Sequence, residues 1–177
     1  MYYFYRYYLP CLRDESFHVC IRKTFAQFDT MQYTYYSPLE VLMDYMTWTT
    51  DLSVGVRQFD DEHKELINII NMLNTAIISD DPKSHLEKIL SNLAKYTRIH
   101  FSHEEELMEK HGYPDYQAHR QEHDALTSQV TDYISRLTEG KTSFSLDLMS
   151  FLRDWLVNHI NGSDKKYSAF FKEKGVA

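Results

Sequence analysis

After Met46 apolar side chains recur every three or four positions, the spacing of one buried helical face. The first such stripe, from about Asp60 to Ser79, runs through Leu66, Ile69, Ile70, Leu73 and Ile77. The segment SDDPKS interrupts it, and Pro82 suits the first turn of a second helix, where a backbone N–H is not needed. That helix extends from about Pro82 to His111 through Leu86, Ile89, Leu90, Leu93, Tyr96, Leu107 and Met108. HGYP ends it with Gly112 and Pro114. A third helix is predicted from about Asp115 to Thr138, stopping before Gly140. A fourth begins near Ser145 and carries Leu148, Leu152, Trp155, Leu156 and Ile160. Long helices on short loops predict an all-α fold, an antiparallel up-and-down four-helix bundle over residues 46–177.

Residues 1–45 keep no helical or strand period. Nine of the fourteen Tyr precede Met46, and this aromatic-rich extension is expected to be poorly ordered, or to be translated upstream of a functional start at Met46. Cys11, His18 and Cys20 fall within it without the paired spacing of a metal or redox site. Because both cysteines lie there, any metal bound by the rest of the chain must be held by nitrogen and oxygen. With 177 residues, 43% of them hydrophobic, and a net charge of −7, the chain is of one-domain size. The acidic balance argues against nucleic-acid binding. No window reads as a membrane span or a signal peptide, so no membrane attachment and a cytoplasmic location are expected.

Charge and polarity change the picture at HFSHEEELMEKHGYPDYQAHRQEH, residues 100–123, with five histidines and five glutamates. Helix positions four apart differ by only about 40° in direction and project to the same face. His100 pairs in this way with Glu104, and His119 with His123 on the next helix. His63 and His159 offer single imidazoles from the first and fourth helices. Asp164 follows His159 by five residues and would point about 140° away in a straight α-helix, which predicts a π-type widening around Asn161 and Gly162. His18, His85, His103 and His111 read as ordinary side chains, with His103 facing away from the adjoining pair. Glu105, Glu106 and Glu109 read as a solvated face.

Left unpaired on or beside apolar stripes, His63, His100, Glu104, His119, His123, His159 and Asp164 would each cost about 1–3 kcal/mol. Metal binding answers all seven. Five imidazoles and two carboxylates exceed the needs of one tetrahedral zinc and suit two five- or six-coordinate ions with the carboxylates shared. The Glu-x-x-His pairs of ferritin-like bundles are absent after Met46, and HEEEL lacks the final His of a zinc protease motif.

At this point the sequence resembles the hemerythrin family over about Trp48 to Phe171. The pieces are LSVGV, DDEHKEL, YTRIHFSHEEELM, GYPDYQAHRQEH and WLVNHINGSDKKY. The order H, H-x-x-x-E, H-x-x-x-H, H-x-x-x-x-D is highly specific, and the long extension is the departure. The resemblance implies two iron ions, oxo- or hydroxo-bridged, binding O2 reversibly at a di-iron site in the bundle core. It implies that Glu104 and Asp164 bridge both ions, that His119, His123 and His159 complete one, and that His63 and His100 hold the other beside an open position. Leu66, Phe101, Trp155, Leu156 and Ile160 match the family's apolar O2 pocket.

The function expected is that of a binding protein and not an enzyme: O2 carriage, storage or delivery, with an oxygen-using enzyme as a conceivable recipient. Oxygen or redox sensing through a separate partner is one alternative. A di-metal hydrolase of the HD type, prompted by His123 and Asp124, or an oxidase is another, although Asp124 is expected to face solvent. Iron handling is a third.

Overall fold

A computed structural model describes residues 44–141, 143–144 and 146–176. The extension predicted over residues 1–45, with Cys11, His18 and Cys20, lies outside the described residues except for Asp44 and Tyr45. The helices are α1 (Arg57–Ile78), α2 (Lys83–His111), α3 (Tyr116–Thr138), α4 (Leu146–His159) and α5 (Lys165–Glu173). A π turn, Ile160–Asp164, joins α4 to α5 without a break, so the predicted fourth helix is one rod with a widened turn inside it. The fold is an all-α four-helix bundle, and no strand occurs among the described residues. Helix α1 packs on α2 and α4, and α2 on α3.

The apolar stripes read from the sequence are the surfaces that meet. Leu66, Ile69, Ile70 and Leu73 of α1 are at most 2% exposed, and Leu90, Met108, Met149, Tyr167 and Phe171 are equally well buried. Burying a side chain of this size contributes about 1.5–3 kcal/mol, so the core fixes how the helices meet.

Helix ends follow local chemistry. The α2 helix stops at His111 because Gly112 adopts the left-handed conformation, φ 67° and ψ 47°, which a residue without Cβ reaches freely. Tyr113 N–H then returns to the Met108 carbonyl at 2.9 Å. Helix α1 begins at Arg57, earlier than its apolar stripe suggests. The Asp60 carboxylate in its first turn accepts from Val54 N–H at 2.7 Å and from the Ser53 hydroxyl, anchoring the incoming arm. Asn71 holds the arm further back, accepting from Met46 N–H and donating to its carbonyl, each at 2.8 Å. Lys165, at the start of α5, donates to the Ser53 carbonyl. The arm is thereby tied to the residue after Asp164. No helix among the described residues is long and apolar enough to cross a membrane.

Candidate metal centre

The seven residues singled out in the sequence come together in the bundle centre. His63, Glu104 and Asp164 are fully buried, and the other four are at most 6% exposed. Glu104 and Asp164 divide the imidazoles between them. Glu104 Oε1 lies 3.8 Å from His63 Nε2 and 3.4 Å from His100 Nε2, while Oε2 lies 3.6 Å from His119 and 3.2 Å from His123. Asp164 places Oδ2 3.3 Å from His63, and Oδ1 3.5 Å from His119 and 3.2 Å from His159. Each carboxylate thus turns one oxygen to a two-histidine side and one to a three-histidine side.

Asp164 reaches the cluster because of the π turn. A residue five positions after His159 regains its face only where the backbone bonds run i to i+5, and Ile160–Asp164 is such a turn. Tyr167 and Phe171, one and two turns further on, are then also directed inward and buried.

The donors fit a metal. Six buried atoms among the described residues have no hydrogen-bonding partner: both ring nitrogens of His63, Glu104 Oε2, His119 Nε2 and both Asp164 oxygens. All belong to the predicted ligands, and leaving such atoms unsatisfied costs about 1–3 kcal/mol each. His123 Nε2 and His159 Nε2 stand only 3.1 Å apart, a repulsive meeting of lone pairs unless a proton or cation serves both. Imidazole nitrogen with carboxylate oxygen suits first-row metals such as iron.

Electrostatics show how the residues stand before metal binds. Burial alone would raise the Glu104 carboxyl, but the surrounding imidazoles, His100 foremost, hold it well below the usual range. Burial and the Glu104 charge push Asp164 up, yet His159 and His63 leave it low as well. Burial would lower His100 and His159. The Glu104 charge and the Glu62 hydrogen bond on His100, and the Asp164 carboxylate on His159, leave both above the ordinary imidazole value.

A second ring of carboxylates orients the imidazoles. Glu62 lies 2.8 Å from His100 Nδ1, Glu105 2.9 Å from His123 Nδ1 and Glu122 3.2 Å from His159 Nδ1. With Nδ1–H donated outward, each ring presents Nε2 to the cluster, and such partners also strengthen an imidazole as a ligand. Glu105 was expected on a solvated face; it is instead only 22% exposed, because the turn of α2 that carries it faces α3. His103 likewise does not simply face away, for its Nδ1 shares Glu62 at 2.7 Å. Tyr167 donates its hydroxyl to Glu104 Oε1. The spacing of Tyr167 three residues after Asp164 was a signal for this contact, usable only once the π turn is known. Replacing Glu62 with alanine is expected to weaken metal retention by roughly 10–100-fold, measured by competition with a chelator.

Apolar side chains lie against two of the imidazoles. Phe101 stacks on His123 with centroids 3.6 Å apart, and Trp155 on His159 at 4.7 Å. Leu66, Leu156 and Ile160 are buried. A cavity reaches Leu66, Trp155 and Leu156, whereas Phe101 and Ile160 do not line it.

Fold and site together define a helical-bundle protein with a metal-binding cluster of histidines and carboxylates. The family model for the Hemerythrin HHE cation binding domain matches residues 54–171. Bacteriohemerythrin of Methylococcus capsulatus is 37% identical over 126 residues, 71% of this chain and 95% of that protein. The bacteriohemerythrin of Stenotrophomonas maltophilia is 34% identical, covering 71% and 81%. A solved structure of wild-type hemerythrin superposes with a TM-score of 0.67 at 38% identity, covering 71% of this chain and 96% of that one. The chain belongs to the hemerythrin family.

Proposed function

We propose that this protein binds O2 reversibly at a non-haem di-iron centre, for carriage, storage or delivery to an oxygen-using enzyme. The observation that carries this reading is the division of Glu104 and Asp164, each offering one oxygen to the His63 and His100 side and one to the His119, His123 and His159 side. Two iron ions held by these residues would supply a binding position for O2 and the electrons its reversible binding requires.

The chain's own groups account for the restraint that a carrier needs. Five imidazoles and two carboxylates occupy the centre, leaving little room for a substrate beside O2. Glu62, Glu105 and Glu122 hold three of the rings by their outer nitrogens, which resists rearrangement. Phe101 and Trp155 lie flat against two of those rings and cover those ring faces against water, whose protons and nucleophilic attack would make binding irreversible. Asp124 is exposed and remote in role from the cluster, which favours a binding protein over a hydrolase of the HD type.

The test is to load the full chain with iron, count metal and record visible spectra without oxygen, with oxygen and after oxygen is removed. Two irons per chain and oxygen-dependent bands that disappear again are expected. One metal, or a change that does not reverse, would sink the carrier reading. Trp155→Ala is expected to raise irreversible loss of the oxygenated spectrum several-fold, followed as band decay in air; unchanged decay would remove the shielding role.

A further inference from the structure

Three carboxylates hold imidazoles of the cluster from outside, and they are not equally guarded. Glu62 is 12% exposed and serves His103 as well as His100. Glu105 is 22% exposed, with Arg120 Nε 3.7 Å away. Glu122 is 47% exposed, and no lysine or arginine pairs with it among the described residues. Its contact with His159 Nδ1, at 3.2 Å, is the longest of the three. His159, at 6%, is also the most exposed of the seven cluster residues. Guarding is therefore weakest on the His159 side.

On that side lies a solvent-open pocket of about 350 Å³, lined by Glu122, Gln129, Asn158, His159 and Ser163. One imidazole separates it from the cluster. The outer nitrogen of His159 meets Glu122, and the inner one lies 3.2 Å from Asp164 Oδ1. Ser163, in the π turn, donates to the same Glu122 carboxylate. Carboxylate, hydroxyl and amide oxygens are donors that hard divalent cations take alongside water, and no lysine or arginine lines the pocket. Six waters fill about 180 Å³ at about 30 Å³ each, so an ion fits with its hydration shell intact. The apolar cavity at Leu66 measures only about 30 Å³ and has Arg98 in its lining, which offers an ion neither room nor a ligand.

We propose that the polar pocket over His159 is the doorway through which a divalent metal ion reaches the cluster, with Glu122 as the first carboxylate it meets and His159 as the ring that turns aside. The Trp155 indole lies nearly parallel to that ring, at 14°, so the imidazole can turn in its own plane without losing the stack. The doorway rests on the metal centre proposed above; it does not depend on O2. A doorway sets a barrier and leaves the bound state alone. Obstructing it therefore slows entry and exit by the same factor.

The test strips the full chain of metal and follows cobalt(II) uptake by stopped flow, using its visible bands, with the final metal counted. Gln129→Glu is expected to speed uptake and Gln129→Lys to slow it, each by roughly two- to tenfold at low salt, and the difference should shrink as salt rises. Thr131→Lys, two residues further along α3 and outside the pocket, is expected to leave the rate alone. Ala125→Phe narrows the mouth, so uptake and chelator-driven release should slow together severalfold at unchanged metal count and affinity. A merely loosened fold would release metal faster. Ala125→Leu, the milder substitution, guards against misfolding of the first. Full uptake at parent rates in all the Gln129 and Ala125 variants would overturn the doorway and leave the metal centre standing. A parent protein that takes up no cobalt would sink both.

Discussion

Replacing Glu104 with alanine is expected to leave at most one tightly held metal per chain and no reversible oxygen-dependent spectrum. Its two oxygens face His63 and His100 on one side and His119 and His123 on the other, so with a metal on each side, as proposed above, one substitution would strip a negative ligand from both. The loss does not stop at the metal. Tyr167, fully buried, would lose the acceptor of its hydroxyl, and an orphaned buried donor costs about 1–3 kcal/mol. His103→Ala is the informative comparison, because it removes a neighbouring imidazole that touches the cluster only through Glu62. Metal counting and oxygenated spectra on both variants decide the matter. Two metals and an intact spectrum in Glu104→Ala would refute the shared role of this carboxylate.

Stripping metal from the protein is expected to lower its melting temperature by about 10 °C or more. Metal that binds only the folded chain stabilises it by mass action. Its removal also restores several unsatisfied buried atoms at about 1–3 kcal/mol each, where 1 kcal/mol moves the midpoint by a few degrees for a chain of this size. The pH dependence carries a further signature. In the stripped protein His100 and His159 sit above their ordinary value, so their contribution is complete below about pH 6.5 and is lost as pH rises through the raised values. Glu104 and Asp164 sit below theirs, so their contribution is present above about pH 4.5 and is lost as pH falls through the lowered values. The stripped protein is therefore best held between these limits. Metal needs its imidazoles free of protons, so the loaded form gains as pH rises. The gap in melting temperature between the two forms should widen as pH rises toward the raised values of His100 and His159 and level off above them, as read by calorimetry; a constant gap would mean that metal displaces no protons.

The seven cluster residues were legible because helical spacing is a strict projection rule. His100 with Glu104 and His119 with His123 could point nowhere but to a common face, and the mismatch between His159 and Asp164 itself announced the π turn. The orienting carboxylates were not legible. Glu62 adjoins His63 in the chain yet serves His100 on another helix, a pairing set by how α1 and α2 are rotated against each other. Glu105 stands in a run of three glutamates, and nothing local distinguishes the one that meets His123. Helix starts were also blurred, since Asp60 stabilises the beginning of α1 through a loop contact that leaves no trace in the apolar pattern.

The widened turn between His159 and Asp164 also works as a phase shift in the chain. Since successive α-helical residues step by about 100°, the extra residue accommodated at Ile160–Asp164 rotates everything downstream by about one such step relative to a continuous helix. Straightening the turn to regular α-helical spacing with every residue kept would swing Asp164, Tyr167 and Phe171 off the interior together and bring Lys166 round toward it, whereas removing one residue, for instance Gly162, would let the turn tighten with Asp164 four positions after His159 and still facing inward. Straightening of that kind would damage ligand, hydrogen-bond donor and core packing in one stroke, although it alters none of those side chains. By the same geometry, a helix with regular periodicity could gain an inward carboxylate five positions after a histidine through one inserted residue, without redesign of the helix before it.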